Sequence, residues 1–212
     1  TDRSRRICFF MVSFIDPYVS YAARLSTLLG LKVVSFQPLS LMENKITLRE
    51  TLKHLPITPA YWIIHPEDSL QNLKCKSHFP LIIKAPVSNG SKDVLMVKTP
   101  AKLTNAIHKL RDKYPNSSLL IEEFLEGSQY LIELVIRNDE LKFMEVMKQD
   151  IKYNGKFIVS AYKYPAILEE TLYKALVSHI LTIIGELGFS TGSCHLEMKL
   201  VQNEWKLIEI KI

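Results

Sequence analysis

The sequence is poor in several features that mark other classes of protein. It has three cysteines in 212 residues, Cys8, Cys75 and Cys194, which form neither a metal-binding spacing nor an even-numbered disulfide framework. A reducing, cytoplasmic setting is therefore expected. No apolar stretch approaches the ~20 residues of a membrane span, so no membrane partner is expected. Arg3-Ser4-Arg5-Arg6 before Ile7–Phe14 has the outline of a secretory signal. The apolar run is short, however, and Asp16-Pro17-Tyr18 follows without a small-residue cleavage site, so a buried strand over Ile7–Ile15 is the reading taken. There is no internal repeat, no low-complexity tract and no block of like charge. The net charge of +5 comes from scattered lysines. It suits a small anionic ligand as well as it suits nucleic acid, and no aromatic-basic motif favours nucleic acid.

What is present is an ordinary folded composition, 47% hydrophobic and 23% charged, long enough for one large domain or two small lobes. Helical periodicity predicts helices over Tyr18–Leu29, stopped by Gly30, and over Leu168–Leu187, closed by Gly188. Ser40-Leu41-Met42-Glu43 reads as a capping box. The helix it opens carries Leu41, Leu48, Leu52 and Leu55 on one stripe, with Lys45 and Arg49 together on another face. Pro56 and Pro59 end it, and Thr58–Ile64 is extended. Strands are expected at Phe79–Lys84, Val94–Lys98 and Leu119–Phe124, with a helix starting at Thr99-Pro100. Gln129–Ile136 and Leu141–Met147 form a hairpin around Asn138-Asp139, and Phe157–Ala161 adds a strand. The fold class is α+β, antiparallel hairpins each backed by a helix, with a hinge at Leu125–Ser128.

The last hairpin carries the sharpest chemical signal. Ser193–Val201 and Trp205–Ile212 alternate polar and apolar residues, joined by Gln202-Asn203-Glu204 as a turn. Pairing Val201 with Trp205 sets Leu196 against Ile210, Met198 against Ile208, and Glu197 against Glu209. Like charges directly opposite one another destabilise a sheet. Two carboxylates so placed call for a cation, and an all-oxygen pair suits Mg²⁺ beside phosphates. The alternative is a solvated face on which Lys199 and Lys206 act as local neutralisers. His195, two residues before Glu197, shares its face and is open as metal ligand, substrate group or inert surface residue.

Lys84 ends an apolar strand just before Val87-Ser88-Asn89-Gly90-Ser91-Lys92. That loop offers the amides and hydroxyls that cradle phosphate, or else is a surface hairpin with a protective edge lysine. Ile121-Glu122-Glu123-Phe124-Leu125-Glu126-Gly127 runs a strand into the hinge and can present backbone groups to a flat heterocycle.

In order along the chain, Glu43-Asn44-Lys45 with Arg49, Phe79–Pro86, Asn89–Val94, Ile121–Gly127, Gly192–Glu197 and Leu207–Ile210 resemble the ATP-grasp fold. Within it the wording is most similar to the carboxylate–amine ligases that join L-amino acids into dipeptides. The resemblance implies two lobes with ATP between antiparallel sheets. Residues 1–37 would be a remnant of an N-terminal α/β domain and 38–212 the ATP-grasp domain, split at about 125/126 into a small central lobe and a C-terminal lobe. It implies Lys45 and Lys84 as catalytic groups on the ATP phosphates, and Ser88, Asn89, Gly90 and Ser91 in a loop closing over them. Glu122, Glu123, Phe124 and Leu125 would meet adenine, Gln129 the ribose, Glu197 and Glu209 Mg²⁺ or Mn²⁺, and His195 the amino-acid substrate. The implied partners are small amino acids, and peptide-antibiotic synthesis is a fitting context.

Three features depart from the family's pattern. The phosphate loop holds a single glycine, Gly90. Gln129 stands where relatives often carry a glutamate. The strand Glu209-Ile210-Lys211-Ile212 lacks the asparagine and arginine that usually follow, and relatives carry a fuller N-terminal α/β domain than Thr1–Leu31, so further segments at both ends are expected. These departures keep open a nucleotide-binding module without ligase turnover, or a ligase for another small carboxylate.

Overall fold

The computed structural model describes residues 11–13, 15, 18–31, 35–70, 79–87 and 93–212. Most of the strand expected over Ile7–Ile15, together with Cys8, Cys75 and the loop Ser88–Lys92, lies outside them.

The strands form two separate antiparallel sheets. The smaller is built from β1 (Tyr61–Ile64), β2 (Leu81–Lys84), β3 (Val94–Val97) and β4 (Leu119–Glu123), in the order β1-β4-β2-β3. Alternation decides its faces. Leu81, Ile83, Leu119 and Ile121 join a core with Leu103, Ile107 and Leu110 of α4 (Pro100–Lys113). Ile82, Lys84 and Glu122 point the other way. The Thr99 side chain caps α4 by accepting from the Lys102 amide, as the Thr-Pro start predicts.

The larger sheet contains β5 (Ser128–Arg137), β6 (Glu140–Tyr153), β7 (Phe157–Lys163), β8 (Thr191–Val201) and β9 (Glu204–Lys211), in the order β7-β6-β5-β8-β9. β5 and β6 turn on Asn138 and Asp139, both left-handed, the residues that tolerate such a two-residue turn. One face packs on α5 (Glu170–Leu187), which buries Leu176, Ile180, Ile183 and Leu187 and ends on left-handed Gly188. The Trp205 indole anchors this layer, donating to Leu172 O at 2.9 Å. Cys194 lies in the same core, where burial pushes its thiol up to about 12.

Helices α1 (Val19–Leu28), α2 (Phe36–Glu43) and α3 (Lys45–Leu52) complete this larger core through Ala23, Leu39, Met42, Leu48 and Leu52. Leu48 and Leu52 thus pack with the C-terminal sheet, although they precede β1. The capping box expected at Ser40 is not formed. Ser40 sits inside α2 and its hydroxyl donates to Gln37 O. The cap is Asn44, whose extended backbone separates α2 from α3 and whose side chain accepts from the amides of Ile46 and Thr47. Asparagine breaks the helix and restarts it in one step. Glu43 is instead free to accept from the Ser20 amide at 3.1 Å.

The last hairpin also differs from the expected register at its tip. The turn is the two residues Gln202 and Asn203, both with positive φ, and Val201 pairs with Glu204 and Met198 with Leu207. A bulge between the Glu197 and Met198 pairs then restores Leu196↔Ile210 and Glu197↔Glu209. Hydrophobic burial explains the pair of changes. Trp205, Leu207 and Ile210 are all buried in the core, which strict alternation forbids and one extra residue permits.

Among the described residues no helix is long and apolar enough to cross a membrane.

Candidate active site

The faces turned away from the two cores look onto each other. Between them lies an open cleft. From the small sheet come Ile82, Lys84, Val94, Glu122 and Glu123, and from the segment between β4 and β5 Phe124 and Leu125. The large sheet contributes Gln129, Ile151, Phe157, Val159, Glu197, Lys199, Ile208 and Glu209, and α3 adds Lys45. Gly127 lies close against β8, where an added Cβ would fall 2.1 Å from Leu200 O.

Glu122 is fully enclosed between two cations. The Arg49 Nε donates to Oε1 at 2.5 Å, and the Lys84 ammonium pairs with Oε2. Burial alone would raise this carboxyl, but Arg49 and Lys84 outweigh it and hold Glu122 below the usual range. Arg49 also donates Nη2 to Leu207 O (2.9 Å) and Ile208 O (2.6 Å), beside the bulge of β9. One guanidinium therefore ties α3, β4 and β9 together across both sheets.

Glu197 and Glu209 are cross-strand partners on the cleft face. Burial, then the charge of Glu209, pushes Glu197 up. Burial also works to raise Glu209, but Lys211 at 2.7 Å and Lys45 at 3.9 Å hold it below its ordinary value. Lys45 is lowered by burial, partly offset by Glu209. Among the described residues no cluster of three or more histidine, cysteine or acidic side chains could hold a metal. The donor set is two hard carboxylates open to a cleft. It fits Mg²⁺, an ion that usually takes one or two carboxylates and completes its shell with phosphate and water.

Of the residues singled out from sequence, Lys45, Lys84, Glu122, Glu123, Phe124, Leu125, Gln129, Glu197 and Glu209 line the cleft together. Ser88, Asn89, Gly90 and Ser91 lie outside the described residues. His195 is opposite Lys211 on β9 and Glu133 on β5, and is not among the residues lining the cleft. Glu122, expected on adenine, is committed to Arg49 and Lys84. The Gln129 Nε2, expected on ribose, donates to Gln149 Oε1 (2.9 Å) and to Glu197 Oε2 (3.3 Å). Sequence reasoning missed Gln149 and Ile208. No local motif marks Gln149. Ile208 reaches the cleft only because the bulge turns it there.

A second recess adjoins the cleft, sharing Lys45 and Glu209 with it. Its walls include Arg24, Phe36, Ser40, Glu43 and Ile212.

Two antiparallel sheets closing on a cleft with two lysines and a facing carboxylate pair describe a class of nucleotide-binding protein. A family model described as "ATP-grasp domain" matches residues 77–212, and the chain belongs to that family. Its fold is the ATP-grasp fold. It is similar to dapdiamide A synthase of Enterobacter agglomerans, 23% identical over 69% of this chain and 36% of that protein. It is also similar to the ATP-grasp enzyme fsqD of Aspergillus fumigatus, 22% identical over 91% of this chain and 35% of that protein. Among solved structures, an L-amino acid ligase from Bacillus licheniformis superposes with a TM-score of 0.79 at 22% identity, covering 92% of this chain and 46% of that one. The chain thus spans about a third of the length of these curated relatives.

Proposed function

We propose that the protein is an ATP-dependent carboxylate–amine ligase, and that its substrates are two L-amino acids joined into a dipeptide. The observation that carries this reading is the convergence of Lys45, Lys84, Glu197 and Glu209 on one cleft between the sheets. Residues 38–212 form the ATP-grasp unit, with the two sheets as lobes hinged at Leu125–Ser128.

Adenine lies at the hinge end, between apolar groups such as Ile82, Phe157 and Ile208. The Glu123 amide is engaged by Ala60 O and the Leu125 carbonyl by Lys199, so the heterocycle uses the Glu123 carbonyl and the Leu125 amide. Lys84 and Lys45 neutralise the phosphates. Lys84 leaves its pairing with Glu122 in part, and Arg49 keeps Glu122 compensated. Glu197 and Glu209 would hold Mg²⁺ or Mn²⁺, which when bound would supply charge neutralisation at the transferring phosphoryl group. The carboxylate of the first amino acid enters from the recess beside Glu209. Its oxygen attacks the γ-phosphorus, forming an acyl phosphate and releasing ADP. The amine of the second then attacks the acyl carbon. The C–N bond forms, the C–O bond to phosphate breaks, and the amine loses a proton. Alignment and electrostatics carry the rate. By the family resemblance, His195 would face the amino-acid substrate and Ser88–Lys92 would supply the phosphate loop.

The similarity to a dapdiamide synthase and an L-amino acid ligase supports the amino-acid reading. The test is phosphate release by the full-length protein with ATP and Mg²⁺ across pairs of amino acids. Release that requires one particular pair is the expected result. Nucleotide binding with no release for any pair would favour a nucleotide-binding module without turnover, and release with a single other carboxylate would reassign the substrate.

A further inference from the structure

The two carboxylates of the facing pair are held by different chemistry. Glu209 is flanked by ammonium groups, Lys211 at 2.7 Å and Lys45 at 3.9 Å. Glu197 is instead held by amides. The Gln129 Nε2 reaches Glu197 Oε2 at 3.3 Å and is itself fixed by Gln149 Oε1 at 2.9 Å. Gln149 is 3% exposed, an uncommon place for a glutamine unless its amide is satisfied. The sheet order explains the arrangement. Gln149 on β6 and Gln129 on β5 are cross-strand partners, and Glu197 lies on β8, the next strand over. Lys199, on the other side of Gln129, sends its ammonium away to Leu125 O at 2.8 Å. A neutral amide can orient a carboxylate without adding a positive charge that would compete with a divalent ion.

We propose that Gln149, acting through and with Gln129, is a positioning residue that fixes the Glu197 carboxylate for a divalent cation. The proposal rests on the reading of Glu197 as a metal ligand. It gives Gln129 a task other than the ribose contact expected from its place in the sequence.

The test is Mn²⁺ binding by the full-length protein in the presence of ADP, followed by electron paramagnetic resonance. Gln149→Met keeps the length of the side chain and removes the amide. It is expected to weaken Mn²⁺ binding about tenfold or more and to change the spectrum of the bound ion. Metal-free ADP affinity and the melting temperature should stay at wild-type values. An unchanged Mn²⁺ Kd in Gln149→Met, with the wild type binding Mn²⁺ normally, overturns the clamp and leaves the metal reading standing. A wild type that binds no Mn²⁺ overturns both. If Gln149→Met does not fold, Gln129→Met makes the same measurement at the less buried end of the pair, with the same expected loss and the same overturning result.

Discussion

The Arg49 guanidinium donates to the Ile208 carbonyl at 2.6 Å, so a residue of α3 secures the backbone at the bulge that sets Ile208 and Glu209 side by side on the cleft. The same guanidinium holds Glu122 of the opposite sheet. The cleft and the packing of the two sheets therefore share one polar network, and its parts can be tested separately.

Glu122→Gln leaves Arg49 buried without its counter-charge. Breaking such a pair costs roughly 3–5 kcal/mol at neutral pH, measurable by urea unfolding. The pH dependence has a defined sign. Arg49 and Lys84 hold the folded-state value below the ordinary 4.5, so the carboxylate's contribution is complete above that value and is lost as pH falls through the folded one. Wild type is expected to lose stability below about pH 4, and Glu122→Gln to lose less over the same interval.

Lys84→Ala removes a charged donor from the cleft. Such a bond is worth about 1.5–3 kcal/mol, which is roughly a ten- to hundredfold rise in the Kd for ATP. Calorimetric titration checks this. An unchanged Kd would move the phosphates away from Lys84.

Glu209→Gln is expected to bring Mg²⁺-dependent phosphate release to background, with a far-UV circular dichroism spectrum like that of wild type. The fold should survive because Ile210 and Leu207, not Glu209, bury the strand. Undiminished release would remove Glu209 from the metal site.

Gly127→Ala forces a Cβ to within 2.1 Å of Leu200 O, a backbone atom that cannot swing aside. The strain of overpacking is about 1–3 kcal/mol. The melting temperature should fall, and adenine affinity with it, because the displaced segment carries Phe124 and Leu125. A variant with wild-type stability would show that the hinge opens without cost.

Much of this was legible locally. The alternation in Ser193–Val201 sets Leu196 and Met198 toward the core and Glu197 outward, and Asn138-Asp139 marks its own turn. Thr99-Pro100 marked the start of α4, and the stripe in α5 marked its buried face. Alternation gives the facing of Glu197 and Glu209, and the turn beside them holds two residues where the pattern predicts three. The two differences cancel at the bulge. The capping box at Ser40 failed because Asn44, four residues on, competes for the same helix start and satisfies two amides.

The chain by itself determined which side chains the strands and helices bury, β9 excepted, because burial periodicity is a property of neighbouring residues. Tertiary structure alone decided who meets whom. The order β1-β4-β2-β3, the enclosure of Glu122 by Arg49 and Lys84, the bulge that turns Ile208 inward and the amide pair on Glu197 all join residues far apart in sequence. Buried polar groups take whichever partner the packed sheets bring within hydrogen-bonding distance, and no local pattern encodes that distance.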